Sequence, residues 1–197
     1  MARPHIEPFV DRDISFKRLD LKGIPHGYNY KMLSMDEDTG ACKLDNLIVF
    51  MGRMHESKGL GELKAAFESL KNENFLFHVY GNGPMRELFI REMRSILGEK
   101  FYYGGIVSGS EKIKILSEAD IVVLPSRYGE GLPMVLLEAM ASGCIVIASR
   151  IASIVELIED GVNGFLIEPL RSSKEVSDQF LNADLARSTI AFTSSAA

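Results

Sequence analysis

The chain changes character at about residue 46, where short runs of apolar residues begin to alternate with longer amphipathic stretches. Continuous apolar runs such as LIVFM and IVVL are typical of strands that are covered on both faces of a sheet. Six strands are predicted, over residues 47–51, 75–80, 101–103, 121–124, 145–148 and 164–167.

Helices are predicted between the strands because apolar residues recur there at spacings of three and four. In the first helix, four apolar residues share one face: Leu60, Leu63, Phe67 and Leu70. Pro84 and Gly143 mark boundaries, since Pro is tolerated at a helix start and Gly commonly follows a helix end. The predicted helices cover residues 59–71, 84–97, 110–117, 132–142, 153–159 and 173–181, the third with a serine as its amino-terminal cap.

Alternating strands and helices predict right-handed βαβ units and therefore a parallel sheet. We predict one α/β domain over residues 46–184, a doubly wound, mostly parallel Rossmann-like sheet of about six strands with helices on both faces. Residues 185–197 are weakly patterned and are expected to form a frayed tail.

The composition and charge of the chain exclude several classes of ligand and location. The net charge of −5 and the pI of about 5.5 argue against nucleic acid as the main ligand. No run of 18 apolar residues predicts a membrane span, and the start has no apolar segment typical of a secretory signal. Cys42 and Cys144 lie far apart, so no disulfide is expected and a cytoplasmic location fits. The four histidines have no metal-ligand spacing.

Glycine and small polar residues crowd the segments that follow the predicted strands. In an open α/β sheet, ligands bind beyond the carboxyl ends of the strands, and glycine lets a ligand approach the backbone. After the first strand, GRMHESKG supplies Arg53 and Lys58 beside a helix start. Their cations and the helix N-terminus could hold a diphosphate. On this loop alone, two solvated surface charges are an equally good interpretation.

The GNGP segment at residues 81–84 resembles the start of a dinucleotide-binding fingerprint, but Arg86 stands where that fingerprint requires its third glycine. The sequence also lacks the GxxxxGK[ST] phosphate loop. A dehydrogenase or a P-loop enzyme therefore loses its main support. Alone, GNGP predicts a tight turn between a strand and a helix.

The segment YGEGLPMVLLEAMASG places Glu130 in a glycine loop and Glu138 on the apolar helix that follows. One carboxylate could accept the hydroxyls of a sugar and the other those of a ribose. In the alternative interpretation, Glu138 caps an edge of the core and Glu130 is solvated. Two acids at this spacing are common by chance, so the pair alone is a weak signal.

Leu132 and Pro133 are predicted to open this helix. Backbone N–H groups of residues 129–132 would then point outward at its positive end, and Gly131 would let a ligand touch them. Four residues are predicted to face the core: Val135, Leu136, Ala139 and Met140.

Taken in order, GIPHGYN, GRMHESKG, GNGP, YGEGLPMVLLEAMASGCIVIAS and ELIEDGVNGFLIEP resemble the C-terminal half of a family 4, or group 1, glycosyltransferase of the GT-B fold. The resemblance covers about residues 24–169, and the two-glutamate segment with its flanking GLP and LLEAMASG is its most specific part. It implies two Rossmann-like domains with the active site between them, the C-terminal one binding the nucleotide-sugar donor.

The resemblance also implies a role for each matching residue. Arg53 and Lys58 match the family's diphosphate ligands, and Glu130 matches the glutamate near the donor sugar, which makes these three the catalytic candidates. Glu138 matches the glutamate that usually holds the ribose. The other expected donor-binding residues are Gly52, Gly81, Ile106, Val107, Gly131, Leu132 and Pro133, with the loop at 106–107 passing along the base.

The implied reaction is transfer of a hexosyl group from a UDP-, GDP- or ADP-linked sugar with retention of anomeric configuration. No cofactor and no metal are expected, because Arg, Lys and the helix dipole stabilise the departing diphosphate. The acceptor stays open between a polysaccharide, a lipid-linked molecule and a small molecule.

An enzyme of this family has two such domains and is roughly twice as long as this chain. GIPHGYN corresponds to the crossover between the domains, so residues 1–45 are expected to be a remnant of the N-terminal domain and the crossover. The missing domain is an expected partner, and alone the chain should bind donor but transfer little. The full-length enzyme would be cytoplasmic or peripheral to the inner face of the membrane. Alternatives are a non-catalytic sugar-nucleotide-binding module, a subunit of a split enzyme and, less favoured, a sugar-nucleotide epimerase.

Overall fold

The apolar runs of the sequence form the strands of one parallel sheet. The computed structural model of the protein describes residues 47–169 together with Asp178. The strands are β1 (Leu47–Met51), β2 (Leu76–Tyr80), β3 (Phe101–Gly105), β4 (Ile121–Leu124), β5 (Ile145–Ser149) and β6 (Phe165–Ile167). They lie in the order β3-β2-β1-β4-β5-β6, and every neighbouring pair is parallel. The predicted α/β class and the six strands are confirmed.

Helices cover both faces of this sheet, as right-handed crossovers require when the strand order reverses after β3. They are α1 (Leu60–Leu70), α2 (Arg86–Leu97), α3 (Gly109–Glu118), α4 (Met134–Ala141) and the short α5 (Ala152–Val155), with single 3₁₀ turns at Glu56–Lys58 and Gly98–Lys100. α1 packs on α2, and α3 packs on α4. The central strands are buried on both sides, which explains their continuous apolar sequence.

The core under α1 is aromatic. Phe67 lies between Phe75 and Phe77, with ring centroids 5.3 and 4.0 Å apart, and Phe77 contacts Phe101 at 6.0 Å. The predicted face of α1 is confirmed, since all four of its residues are buried. On α4, Leu136, Ala139 and Met140 are buried as predicted, whereas Val135 is only partly buried.

Two predicted helix starts are wrong by two residues. α2 begins at Arg86, and Pro84 lies in the preceding turn, where the N–H of Met85 donates to the carbonyl of Met54 (3.0 Å). α4 begins at Met134, with Pro133 as an extended N-cap residue at ψ 94°. Leu132 and Pro133 therefore precede the helix and do not open it.

Two other helix predictions also differ from the structure. Ser110 lies inside α3, and the N-cap residue is Ser108, whose side chain makes no capping bond. α5 is shorter than predicted: the Glu159 N–H, which a helix continued to residue 159 would pair with the Val155 carbonyl, donates instead to the Asn163 side chain (2.8 Å). Gly143 follows the last turn of α4 at φ 79°, as predicted. The helix predicted over 173–181, Asp178 apart, and the segments 1–45 and 185–197 lie outside the described residues.

Asp120 ties three strands together at the amino edge of the sheet. Its carboxylate accepts from the Leu47 N–H (2.8 Å), its own N–H donates to the Leu47 carbonyl (3.0 Å), and its carbonyl accepts from the Ile145 N–H (2.9 Å). Only 3% of the residue is exposed.

We expect Asp120→Ala to lower the free energy of unfolding by about 1–3 kcal/mol, because it leaves the buried Leu47 N–H without its acceptor. Urea denaturation of the variant measures the loss. Asp120→Asn keeps an acceptor oxygen at the same position and should lose clearly less. Equal losses in the two variants would contradict this account.

Candidate functional site

A cleft of about 420 Å³ opens at the carboxyl edge of the sheet. It lies beside the neighbouring strands β1 and β4, where the strand order of the sheet reverses. Open α/β sheets bind ligands at such a point. Loops after the first four strands and the start of α4 line it. The lining residues are Met51, Gly52, Arg53, Lys58, Gly81, Ile106, Val107, Lys112, Leu124, Glu130, Leu132, Pro133, Met134 and Val135.

An ion pair crosses this cleft. The Lys58 ammonium, from the loop after β1, contacts Oε1 of Glu130, from the loop after β4. The Ser126 hydroxyl donates to the same carboxylate oxygen. The side chains of Lys58 and Glu130 are only 18% and 8% exposed. Two residues that are 72 positions apart in sequence therefore form one partly buried charged unit.

The loop after β1 holds Lys58 through a short 3₁₀ turn. His55 caps this turn, because its Nδ1 accepts from the Ser57 N–H (3.2 Å) and its carbonyl accepts from the Lys58 N–H (3.0 Å). Gly59 ends the turn in the left-handed conformation at φ 68°. Arg53 is exposed in the cleft lining and forms no ion pair within residues 47–169.

The loop after β4 is fixed from two sides. The Arg127 N–H donates to the Ser57 carbonyl (2.8 Å), and the Arg127 guanidinium donates through Nε to Glu62 on α1 (2.9 Å). The hydrogen bond with Glu62 raises the pKa of Arg127 above its ordinary value. The Ser153 hydroxyl donates to the Glu130 carbonyl (3.1 Å). The backbone around Glu130 is thus held before any ligand binds.

The start of α4 presents its positive end to the cleft. No side chain caps this helix, and its first two residues, Met134 and Val135, line the cleft. Unpaired amide dipoles at a helix N-terminus attract anions. Together with Arg53 and Lys58, this end makes the cleft suitable for a diphosphate.

Glu138 lies below the cleft. Its side chain is 6% exposed and forms an ion pair with Lys112 from α3, which does line the cleft. Glu138 and Gly131 are the predicted donor-binding residues that the cleft lining does not include; all the others line it. Sequence reasoning did not find Lys112. The sequence held one signal for it, because the positive end of the helix dipole disfavours a lysine near the start of a helix.

Two further groups with altered pKa lie on β2. The pKa of Tyr80 is raised to about 12, mainly by burial and further by Tyr102, Glu118 and Glu111. Burial lowers the pKa of His78, which Glu118 partly opposes. Neither side chain lines the cleft. Across residues 47–169, no three His, Cys, Asp or Glu side chains cluster so as to hold a metal ion. No helix in that part of the chain has the length and apolarity needed to cross a membrane.

The sequence from residue 34 to residue 187 matches the family model of the group 1 glycosyl transferases. The chain belongs to this family. A curated relative, the uncharacterized glycosyltransferase MJ1607 of Methanocaldococcus jannaschii, is 34% identical over 128 residues, which is 64% of this chain and 32% of that protein. The chain thus spans about a third of the length of this relative.

Solved structures agree with this assignment. The C-terminal domain of a group 1 glycosyl transferase family protein (LpcC) from Francisella tularensis is 27% identical with a TM-score of 0.67, covering 83% of this chain and 90% of that one. The pneumococcal O-GlcNAc transferase GtfA, in complex with UDP and GlcNAc, is 27% identical with a TM-score of 0.59, covering 76% of this chain and 29% of that one. The predicted resemblance to the C-terminal domain of a group 1 glycosyltransferase is confirmed.

Proposed function

We propose that this chain is the donor-binding half of a hexosyltransferase that uses a nucleotide-diphosphate sugar and retains its anomeric configuration. One observation carries the proposal: in a group 1 glycosyl transferase chain, Arg53, Lys58, Glu130 and the uncapped start of α4 meet in one cleft at the carboxyl edge of the sheet. Cations and a helix N-terminus suit a diphosphate, and a carboxylate suits sugar hydroxyls.

The diphosphate would lie against Arg53, Lys58 and the first turn of α4. Arg53 is exposed and offers a planar fork of donors, whereas Lys58 offers a point charge on a loop that His55 and Gly59 hold. During transfer the bond from the sugar C1 to the diphosphate oxygen breaks, and a bond from C1 to the acceptor oxygen forms on the same face of the sugar. The proton of the acceptor hydroxyl passes to the leaving diphosphate. Charge then grows on the leaving diphosphate, where these cations and amide dipoles stabilise it.

Glu130 would accept the hydroxyls of the donor sugar. Its carboxylate already has two partners, the Lys58 ammonium and the Ser126 hydroxyl. When a diphosphate enters, Lys58 can bond both to it and to Glu130, since an ammonium has three donors. The ion pair would then align sugar and diphosphate in one geometry, which lowers the entropic cost of the transfer step.

The base would lie along the loop after β3. Ile106 is 73% exposed at the rim of the cleft, and Val107 packs partly against the core. An apolar side chain at the rim can pack against the flat face of a base without selecting among bases. The similarity to GtfA, which was crystallised with UDP and GlcNAc, supports UDP as the first nucleotide to test.

Calorimetry of the purified chain with uridine, UDP, GDP and ADP tests the proposal. We expect at least one nucleoside diphosphate to bind and to raise the melting temperature. Uridine should bind far more weakly than UDP if UDP is the ligand, because it lacks the diphosphate. A folded sample that binds none of the diphosphates, or that binds uridine and UDP equally, would overturn the proposal.

A further inference from the structure

Three aromatic rings cluster on the face of the sheet that lies away from α1. His78 and Tyr80 alternate along β2 with Phe77, which packs against Phe67 of α1, so these two rings point to the opposite face. Tyr102, on the edge strand β3, is the register partner of His78 and lies on the same face. The ring centroids of His78 and Tyr102 are 5.0 Å apart, and that of Tyr80 is 6.4 and 6.3 Å from them. We call these three residues the edge cluster.

Glycine at position 104 makes room for the edge cluster. A Cβ there would lie 2.3 Å from Cε1 of Tyr80 and 3.0 Å from Cε1 of Tyr102, closer than side chains pack without displacement. Tyr80 is buried, whereas Tyr102 is 53% exposed. The cluster therefore has a buried base and an open aromatic surface that meets water at the edge of the sheet.

Negative charge lies beside this open surface. Glu111 and Glu118 are two helical turns apart on α3, so they share one side of that helix. The pKa of Tyr80 is raised mainly by burial and further by Tyr102, Glu118 and Glu111, so both carboxylates act on the edge cluster. Lys114 approaches Glu118 only to 4.0 Å from a side chain that is 76% exposed, and such a pair is largely screened by water. The field at the cluster therefore stays negative.

We propose that the edge cluster binds a quaternary ammonium group. Aromatic faces attract cations, and the neighbouring carboxylates add to that attraction. A fully alkylated ammonium suits a surface made of ring carbons, because it has no N–H donors that need acceptors. Burial lowers the pKa of His78, so its ring is uncharged at neutral pH and does not repel a cation.

The edge cluster is free to take such a ligand. Within residues 47–169, no lysine or arginine side chain lies over any of its three rings; the cation of Lys100 lies over Phe75, 5.4 Å from the ring centroid. None of the three rings lines the cleft, so this site is separate from the one proposed for the nucleotide sugar and does not depend on it.

An NMR titration of the full chain at neutral pH compares choline with its uncharged carbon analogue, dimethylbutanol. Choline should bind with a Kd on the order of 1 mM, as two or three cation–π contacts imply. Dimethylbutanol has the same shape without the charge and should bind at least about 5-fold more weakly. Equal binding of the two compounds would overturn the inference, because the cluster would then be an apolar patch. Binding of glucose with no binding of choline would overturn it as well.

Substitutions then locate the site. Tyr102→Leu keeps an apolar side chain but removes the open ring, and should weaken choline binding about 5-fold or more, whereas Tyr102→Phe keeps the aromatic face and should bind nearly as wild type does. Glu118→Gln should weaken it about 2-fold. Tyr128→Leu changes the other exposed tyrosine, in the loop after β4, and is the matched control that should leave choline binding unchanged. Wild-type affinity for choline in Tyr102→Leu, or an equal loss in Tyr128→Leu, would refute a site at the edge cluster.

Discussion

Replacing Lys58 with Met is expected to weaken the binding of UDP, or of whichever diphosphate binds most tightly, by about 100-fold. Two effects add. The diphosphate loses a charge-assisted bond, and Glu130 loses its cationic partner in the cleft. A carboxylate without that partner repels the incoming anion over a short distance in a partly buried site. Calorimetry at fixed ionic strength measures the change.

A double variant separates the two effects, the lost bond to the diphosphate and the repulsion by Glu130. Lys58→Met with Glu130→Gln removes the repulsion and should recover part of the affinity for UDP. Lys64→Met removes a lysine that pairs with Glu92 on the outer surface (2.8 Å) and leaves the cleft untouched. It should bind UDP as wild type does. Wild-type affinity in the Lys58 variant would refute a diphosphate site at this loop.

The sheet was predictable because its strands are covered on both faces. Such strands need no alternation of polar residues, so runs such as IVVL mark them directly, and β4 has the predicted bounds. Helix starts were less predictable because contacts between loops shape the turns that precede them. Before α2, the N–H of Met85 donates to the carbonyl of Met54, from a different loop, and no spacing along the chain indicates this bond.

The position of the site was also predictable in part. Once the strands are known, their carboxyl ends share an edge, so Arg53, Lys58 and Glu130 were expected to be near one another. The pairing of Lys112 with Glu138 was not predicted, because it depends on how α3 packs against α4. No spacing along the chain encodes that packing. Leu132 and Pro133 remained in the lining although they precede the helix, since an extended N-cap still aims the helix start at the cleft.

Gly59→Ala is expected to disrupt the cleft from its base. Gly59 has φ 68°, a conformation that costs a non-glycine residue about 1–2 kcal/mol. A Cβ there would lie 1.9 Å from the Pro125 carbonyl oxygen, so the loop after β4 would have to move away from the loop after β1. Strain and displacement together should lower the free energy of unfolding by about 3 kcal/mol or more.

Because Lys58 precedes Gly59 and Glu130 follows Pro125, the same displacement separates the two members of the ion pair, and nucleotide binding should fall with stability. Gly61→Ala is the matched control, since Gly61 lies inside α1 and its Cβ would meet nothing closer than 3.9 Å. Alanine there should stabilise the helix by up to about 1 kcal/mol and leave binding unchanged. Urea denaturation and UDP calorimetry on both variants measure these effects. If Gly59→Ala matched Gly61→Ala in both measurements, the close contact between the two loops could not be what shapes the cleft.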